Sequence, residues 1–445
     1  MNKIQELIEK EKQRQEDEIC LIASENYTYP EVMEAQGSCL TNRYAEGYPN
    51  ARYYAGCKYI DEIEQYAIDK AKELFKCNFA NVQPHSGSQA NQAVYLSLLN
   101  AGNIILGMDL SAGGHLTHGA KVSSSGKLYK AITYGLDENG VINYKEIEEK
   151  LIQYKPRLLI VGASAYSRNI DFKKIKNIID SHNKLISELI TIETEGHVDG
   201  DSTEILYVNN DKIQKCIYMV DMAHIAGLVA TGEHESPLPY ADIVTSTTHK
   251  TLRGPRGGLI LWNDEKYTKK INSAVFPGIQ GGPLEHAIAG KAICFEKALE
   301  PYFKQYAKQI KANIKAMEQV FNDYEIKMVT GGSDNHLILL DLKGESFTGK
   351  ELEDALTTVG IITNKNAVVG DTRNRFETSG LRIGTACITA RGMKETEAKE
   401  IANYICMIIC ELRYKYNKEE EYEDTFYIPT KVNELCNKFP LYKKQ

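Results

Sequence analysis

Lys250 stands between a hydroxyl run, Thr245-Ser246-Thr247-Thr248-His249, and the rigid segment Arg253-Gly254-Pro255-Arg256-Gly257-Gly258. Ile243 to Thr245 is β-prone, so the lysine is expected just past a strand end rather than on a solvated helix face. Desolvation there, with Arg253 and Arg256 nearby, lowers an ammonium pKa and leaves free amine to attack a carbonyl. A phosphate-binding or structural lysine fits the segment equally well. A second run, Ile217-Tyr218-Met219-Val220-Asp221, reads as a buried parallel strand whose closing aspartate emerges at the sheet's carboxyl edge, where open α/β sheets bind ligands. The alternative for Asp221 is a cap on the following turn. Together the two residues fit pyridoxal phosphate, which needs a lysine to form an imine and a carboxylate on its pyridine nitrogen.

Other segments supply candidate contacts. Ser86-Gly87-Ser88-Gln89-Ala90 opens a helix, so the amides of Gly87 and Ser88 can cradle a phosphate at the positive end of the helix dipole, or Ser86 is an ordinary cap. Gly281 and Gly282 form a second backbone nest. His115 follows Gly113 and Gly114, which let the backbone approach a planar ligand. His115-x-x-His118 could hint at a metal, but no third ligand stands at a convincing spacing, so no metal is expected. Arg382, after Thr378-Ser379-Gly380, can bind an amino acid's carboxylate bidentately or form an interdomain salt bridge. Glu46, flanked by tyrosines, is either a proton-moving acid or an exposed turn carboxylate.

The elements that must position these residues follow from alternating apolar and polar segments. Residues 1 to 30 read as a helical arm, and a glycine-punctuated α/β domain runs from 31 to 265. Its clearest strands are Asn103 to Met108, Arg157 to Val161, Ile217 to Val220 and Ile243 to Thr245, in a doubly wound, mainly parallel sheet. Residues 266 to 445 read as a linking helix, Leu284 to about Phe321, and a smaller C-terminal α/β domain with a strand at His336 to Leu342 and a helix at Lys394 to Leu412. A chain of 445 residues, 42% hydrophobic, suits two such cores. No apolar run approaches the roughly 18 residues that span a bilayer, and the charged start lacks a signal peptide's apolar core, so a cytoplasmic protein is expected. Ten cysteines without any Cys-x-x-Cys indicate neither a disulfide framework nor a zinc site. A net charge of -7 argues against general nucleic-acid binding.

Ordered motifs run through the chain. They include Leu21-Ile22-Ala23-Ser24-Glu25-Asn26-Tyr27, Tyr44-Ala45-Glu46-Gly47-Tyr48-Pro49, Arg52-Tyr53-Tyr54, Gln83-Pro84-His85-Ser86-Gly87-Ser88-Gln89-Ala90-Asn91 and Gly113-Gly114-His115-Leu116-Thr117-His118-Gly119. Ser164-Ala165-Tyr166, the Asp221 and Lys250 segments, Phe276-Pro277-Gly278-Ile279-Gln280-Gly281-Gly282-Pro283 and Thr378-Ser379-Gly380-Leu381-Arg382-Ile383-Gly384-Thr385 continue the series. On these the chain resembles the serine hydroxymethyltransferases, pyridoxal phosphate enzymes of the aspartate-aminotransferase-like fold (fold type I). The resemblance implies interconversion of serine plus tetrahydrofolate with glycine plus 5,10-methylenetetrahydrofolate. It implies catalytic roles for Lys250, Glu46, Asp221, His224 and His115, and further cofactor contacts at Tyr44, Gly87, Ser88, Ser164, Thr247 and His249. Gly281 and Gly282 would complete the phosphate site from the other subunit of a homodimer. Ser24, Tyr54 and Arg382 would join Glu46 in binding the amino acid, and Tyr53, Leu110, Gly114, Leu116 and Asn366 would join it in binding folate.

A folate-independent aldolase for threonine-like β-hydroxy amino acids would need the same lysine and aspartate. A non-catalytic scaffold has no need to keep Lys250, Asp221 and Arg382 together. Three departures from the family pattern stand out. The loop from Asn366 to Phe376 lacks the expected prolines, and Asn50-Ala51 and Ala55 replace the usual residues beside the tyrosines. A segment from about Asn183 to Gln214, after a helix ending near Asp180, reads as an insertion at the sheet edge away from the ligand, with β-prone runs Leu189 to Ile192 and Ile205 to Val208 around Asp199-Gly200-Asp201 forming a surface hairpin.

Overall fold

A run such as Leu158–Val161, apolar at every position, has no face to offer water and must be covered on both sides. All four of its side chains are fully buried. In a computed structural model of the chain, which describes residues 2–195, 214–417 and 425–442, this strand lies in a seven-stranded sheet. The spatial order is Phe79–Asn81, Gly258–Trp262, Ile243–Thr247, Ile217–Asp221, Leu158–Val161, Ile104–Met108, Lys130–Tyr134. The last five are mutually parallel, and the first two add antiparallel pairings at one edge. The mainly parallel α/β sheet agrees with the alternation of the sequence.

Sequence order reverses between two neighbours, Ile104–Met108 and Leu158–Val161, because Lys130–Tyr134 lies outside the first of them. The loops leaving their carboxyl ends part there and open a crevice. In this sheet, Asp221 and Thr247 close their strands, and the segments carrying His115 and Ser164 follow the two strands at the crevice.

A second core lies around an antiparallel sheet of Leu337–Asp341, Gly380–Gly384 and Asn364–Asn366, with the helices Gly349–Thr358, Glu395–Asn417 and Ile428–Lys438. The linking helix expected over 284 to 321 is two helices, Glu285–Leu299 and Pro301–Asp323. Pro301 lacks an N–H and forces an extended residue before it, so the first helix stops and the second starts on the proline. That second helix joins the cores, with Phe303, Tyr306 and Ile310 in the larger and Ile314, Met317 and Phe321 in the smaller.

The arm also differs from expectation, being helical only over Lys3–Asp17. Ile19–Cys20 then pairs in parallel with Ile361–Ile362, and the Leu21 carbonyl accepts from the Gly384 amide at 2.8 Å. A Cβ on Gly384 would sit 2.5 Å from the Ala23 Cα, so glycine permits the segment before Ser24 to lie directly on the small-domain strand.

The expected insertion begins too early. The helix after Phe172 continues to Glu195, enclosing Leu189 to Ile192, which therefore do not form a hairpin strand. Asp199-Gly200-Asp201 and Ile205 to Val208 lie outside the described residues. Asn183 belongs to the frame: its side chain donates to the Cys216 carbonyl at 2.9 Å and accepts from the Cys216 amide at 2.7 Å, bracing the start of the Ile217 strand. Among the described residues, no helix is long and apolar enough to cross a membrane. Asn183→Ala is expected to cost about 1–3 kcal/mol in thermal unfolding, because it strands both polar groups of a buried residue. Replacing residues 190–213 with a linker of about six residues, long enough at about 3.4 Å per residue to rejoin the chain, should leave cofactor uptake unchanged by absorbance.

Candidate active site

Four strand ends and one helix start converge on a cavity of about 290 Å3. Helix Gly87–Leu98 begins on Ser86, whose hydroxyl accepts from the Gln89 amide at 3.2 Å. The amides of Gly87 and Ser88, in the first turn, have no preceding carbonyl to bond and line the cavity. The loop after Met108 turns through Gly113, whose φ of 103° favours glycine, and Gly114, where a Cβ would lie 2.0 Å from the Met108 carbonyl oxygen. This brings His115 back over the sheet edge. Ser164, on the loop across the switch point, binds that turn, its amide donating to the Gly113 carbonyl at 2.7 Å.

Asp221 closes its strand beneath the cavity. Its Oδ2 accepts from Asn91 Nδ2 at 2.8 Å and from His118 Nε2 at 3.1 Å, and its Oδ1 accepts from the Ala223 amide at 3.1 Å. His118 Nδ1 faces the backbone N–H of His115 at 3.4 Å, which makes Nδ1 the acceptor and puts the hydrogen on Nε2, toward the carboxylate. Burial pushes the Asp221 carboxyl up, yet the hydrogen bonds from His118 and Asn91 outweigh it and hold the group well below its usual range. The carboxylate is therefore ionised although largely buried.

Lys250 is buried, and its Nζ donates to Thr247 Oγ1 at 3.0 Å. Burial lowers its ammonium to about 8; Asp221 opposes the fall, while Arg382 and Arg256 add to it. Arg253, expected to contribute, points elsewhere: it donates to the Tyr27 carbonyl and Tyr302 Oη and lies 4.4 Å over the Tyr29 ring. Burial lowers His115 to about 4 and His249 to about 3, so both rings are neutral at physiological pH.

Ser24, Gly87, Ser88, His115, Ser164, Asp221, His224, Thr247, His249 and Lys250 all line this one cavity. Arg382 reaches its rim from the small domain, donating to the Ser164 carbonyl at 2.6 Å, Ser24 Oγ at 3.3 Å and Asn364 Oδ1 at 3.2 Å. Burial lowers even this guanidinium, to about 10. Tyr44, Glu46, Tyr53, Tyr54, Gly281 and Gly282 are not among the lining residues. They form a separate patch, in which Tyr44 Oη donates to Glu46 Oε1 at 3.3 Å, Tyr44 and Tyr54 meet edge to face, and Gly281 and Gly282 back onto Glu46 and Tyr44. Leu110 and Leu116 are exposed, and Asn366 lies on a small-domain strand.

Three lining or supporting residues have roles that the sequence does not reveal. The sequence offers His118 only as a metal ligand; the fold does bring a third group, Asp221, so that the three ligand atoms lie within 4.8 Å, but the carboxylate is engaged by His118 and Asn91. Asn91 carried one signal, its place four residues after Gly87 and so on the same helix face. Arg256, which the sequence offers only as a charge near Lys250, lines the cavity.

The serine hydroxymethyltransferase family model matches residues 1–195 and 206–405, so its break falls at 196–205, inside the segment expected as an insertion. The chain is 52% identical over 436 residues to serine hydroxymethyltransferase 2 of Pseudomonas fluorescens (strain Pf0-1), covering 98% of this chain and 95% of that protein. It is 50% identical over 441 residues to serine hydroxymethyltransferase of Campylobacter concisus (strain 13826), covering 99% and 97%. With a family model spanning most of its length and relatives at half identity end to end, the chain belongs to the serine hydroxymethyltransferase family.

Proposed function

We propose that this protein interconverts serine and glycine with tetrahydrofolate as the one-carbon carrier and pyridoxal phosphate as cofactor, on an aspartate-aminotransferase-like (fold type I) scaffold. The observation that carries the proposal is one cavity holding an ionised buried carboxylate, Asp221, and a lysine whose ammonium is lowered to about 8, Lys250. The residues fit the cofactor. The free amides at the start of helix Gly87–Leu98 suit a phosphate, Asp221 suits a protonated pyridine nitrogen, and the neutral His115 ring suits a flat aromatic partner.

When bound, pyridoxal phosphate supplies an electron-accepting ring that stabilises negative charge at the amino acid's Cα as the bond to the hydroxymethyl carbon breaks. The protein's share is orientation and proton control. Asp221, kept ionised by His118 and Asn91, holds the proton on the pyridine nitrogen. Lys250 offers a free amine at Nζ, oriented by Thr247 Oγ1. Arg382, fixed by Ser24, Asn364 and the Ser164 carbonyl, binds the amino acid's carboxylate and sets which bond at Cα is aligned for cleavage. Glu46 moves the proton of the serine hydroxyl, and Tyr53, Leu110, Gly114, Leu116 and Asn366 hold the folate.

Glu46 does this for a second copy of the chain. Its patch lies apart from the Lys250 cavity and leaves Tyr44, Tyr53 and Tyr54 exposed, which supports a homodimer in which each patch closes the partner's cavity.

Lys250→Ala should abolish serine turnover, read as glycine formation with tetrahydrofolate, in a protein that still folds. Glu46→Gln should depress the folate-dependent reaction far more than cleavage of a bulky β-hydroxy amino acid; equal losses would remove Glu46 from its role. Mixing and reassociating the two inactive variants should restore activity, since one site of each mixed dimer then has both native residues. In cofactor-free protein, acylation of Lys250 followed by peptide mass mapping should rise with a midpoint near pH 8, against about 10.4 for an ordinary lysine. Between those values the unfolded chain binds the extra proton, so this group's contribution to stability rises with pH through that window.

A further inference from the structure

His224 and His336 meet at the back of the cavity. His224 lies three residues past Asp221, faces the cavity and is 6% exposed. His336, just before strand Leu337–Asp341 of the small domain, is fully buried. His224 Nδ1 and His336 Nε2 are 3.3 Å apart, while the ring centres are 5.4 Å apart with planes at 25°. The nitrogens are much closer than the ring centres, so the rings meet edge to edge through nitrogen rather than face to face. The contact also crosses from the small domain to the large one.

The backbone around His336 leaves its ring little freedom. Asn335 Nδ2 donates to the Tyr166 carbonyl at 3.0 Å and its Oδ1 accepts from the Leu337 amide at 3.1 Å, while the His336 carbonyl accepts from the Thr385 amide at 3.1 Å. A ring clamped on both sides of its Cα and sealed from solvent is held in place for whatever it touches. What it touches is a histidine facing the catalytic cavity.

Burial pushes both imidazoles down, His336 to about 3 and His224 well below its ordinary value, with Lys250 and Arg382 adding to each. Both rings are therefore neutral at physiological pH, and each carries one hydrogen. The facing nitrogens share one of these. Two bare nitrogens would repel, and two N–H groups would clash. If His224 Nδ1 held that hydrogen, the hydrogen of His336 would lie on its own Nδ1, which is buried and has no hydrogen-bond partner among the described residues. A buried N–H without an acceptor is the costlier orphan. The other arrangement puts the hydrogen on His336 Nε2, which donates to His224 Nδ1. The remaining hydrogen of His224 then lies on Nε2.

We propose that His336 is a positioning residue that fixes the tautomer of His224, so that His224 presents an Nε2–H donor to an oxyanion in the cavity. This rests on the reading of the cavity as an amino-acid and pyridoxal phosphate site, where a ring hydroxyl and a substrate carboxylate both offer such oxygens. No charged histidine is needed. The donor is set by a neighbour that touches neither ligand, and it is aligned only while the small domain is seated against the large one.

The test has one arm independent of activity. In cofactor-free protein labelled with 15N-histidine, the His224 ring should show a protonated, pyrrole-type Nε2 and a bare, pyridine-type Nδ1. His336→Phe keeps a ring of similar size but no nitrogen, and should leave His224 averaging between tautomers. In the holoenzyme the same variant should lower kcat for serine by about three- to tenfold, the weight of one hydrogen bond, with KM nearly unchanged. His336→Gln, whose amide can donate from the same place, should recover most of that loss. A pyridine-type Nε2 on His224 in the wild type would overturn the proposal. So would an unchanged His224 spectrum in His336→Phe, or Gln and Phe variants equally impaired. If the spectra match but the protein neither binds pyridoxal phosphate nor turns over serine, the reading of the cavity fails and the histidine arrangement stands.

Discussion

Asp221 keeps its charge where burial alone would remove it, and the arrangement of the site follows from that requirement. A carboxylate largely withdrawn from water stays ionised only if donors surround it, and His118, Asn91 and the Ala223 amide supply three. Each donor is itself held. His118 is oriented by the His115 amide, and the Asn91 amide by Thr245 Oγ1, which donates to its oxygen at 2.6 Å. The helix that brings Asn91 to the carboxylate is the same one whose first amides face the other end of the cavity. Charge on Asp221 thus fixes the distance between the two ends of the cofactor's place.

The same dryness acts in the opposite sense on the bases. Lys250, His115, His224 and His249 are all lowered, with burial as the leading cause, so the cavity holds neutral imidazoles and a lysine with accessible free amine. Arg382 stays a cation across the physiological range, and it sits at the rim beside Ser24 and Ser164. The Asp221 carboxylate below and the Arg382 guanidinium at the mouth give the cavity a polarity along its length.

The smaller domain is part of the site rather than a neighbour of it. Arg382, Asn364 and His336 come from it, and Ser24 is delivered by an arm stitched to its strand at Gly384. Helix Pro301–Asp323, with its apolar face shared between the two cores, sets how the domains meet. Small shifts at this joint therefore reach Arg382 and His224 together.

Much of this was legible in the sequence because local rules govern it. Apolar runs ending in a polar residue located the strands and put Asp221 and Lys250 at one sheet edge, and the Ser86-Gly87-Ser88 start located the helix. Family motifs marked His115, Ser164, His224 and Arg382. Where local signals competed, the reading failed: β-prone Leu189 to Ile192 continued a helix, and one proline divided a pattern read as a single helix. Residue types and strand ends are determined along the chain. Which donors reach Asp221, that Arg382 of the small domain acts on Lys250 and which histidine meets His224 were decided only by the tertiary structure. Those depend on pairs of residues 103, 132 and 112 positions apart, across which no local propensity carries information.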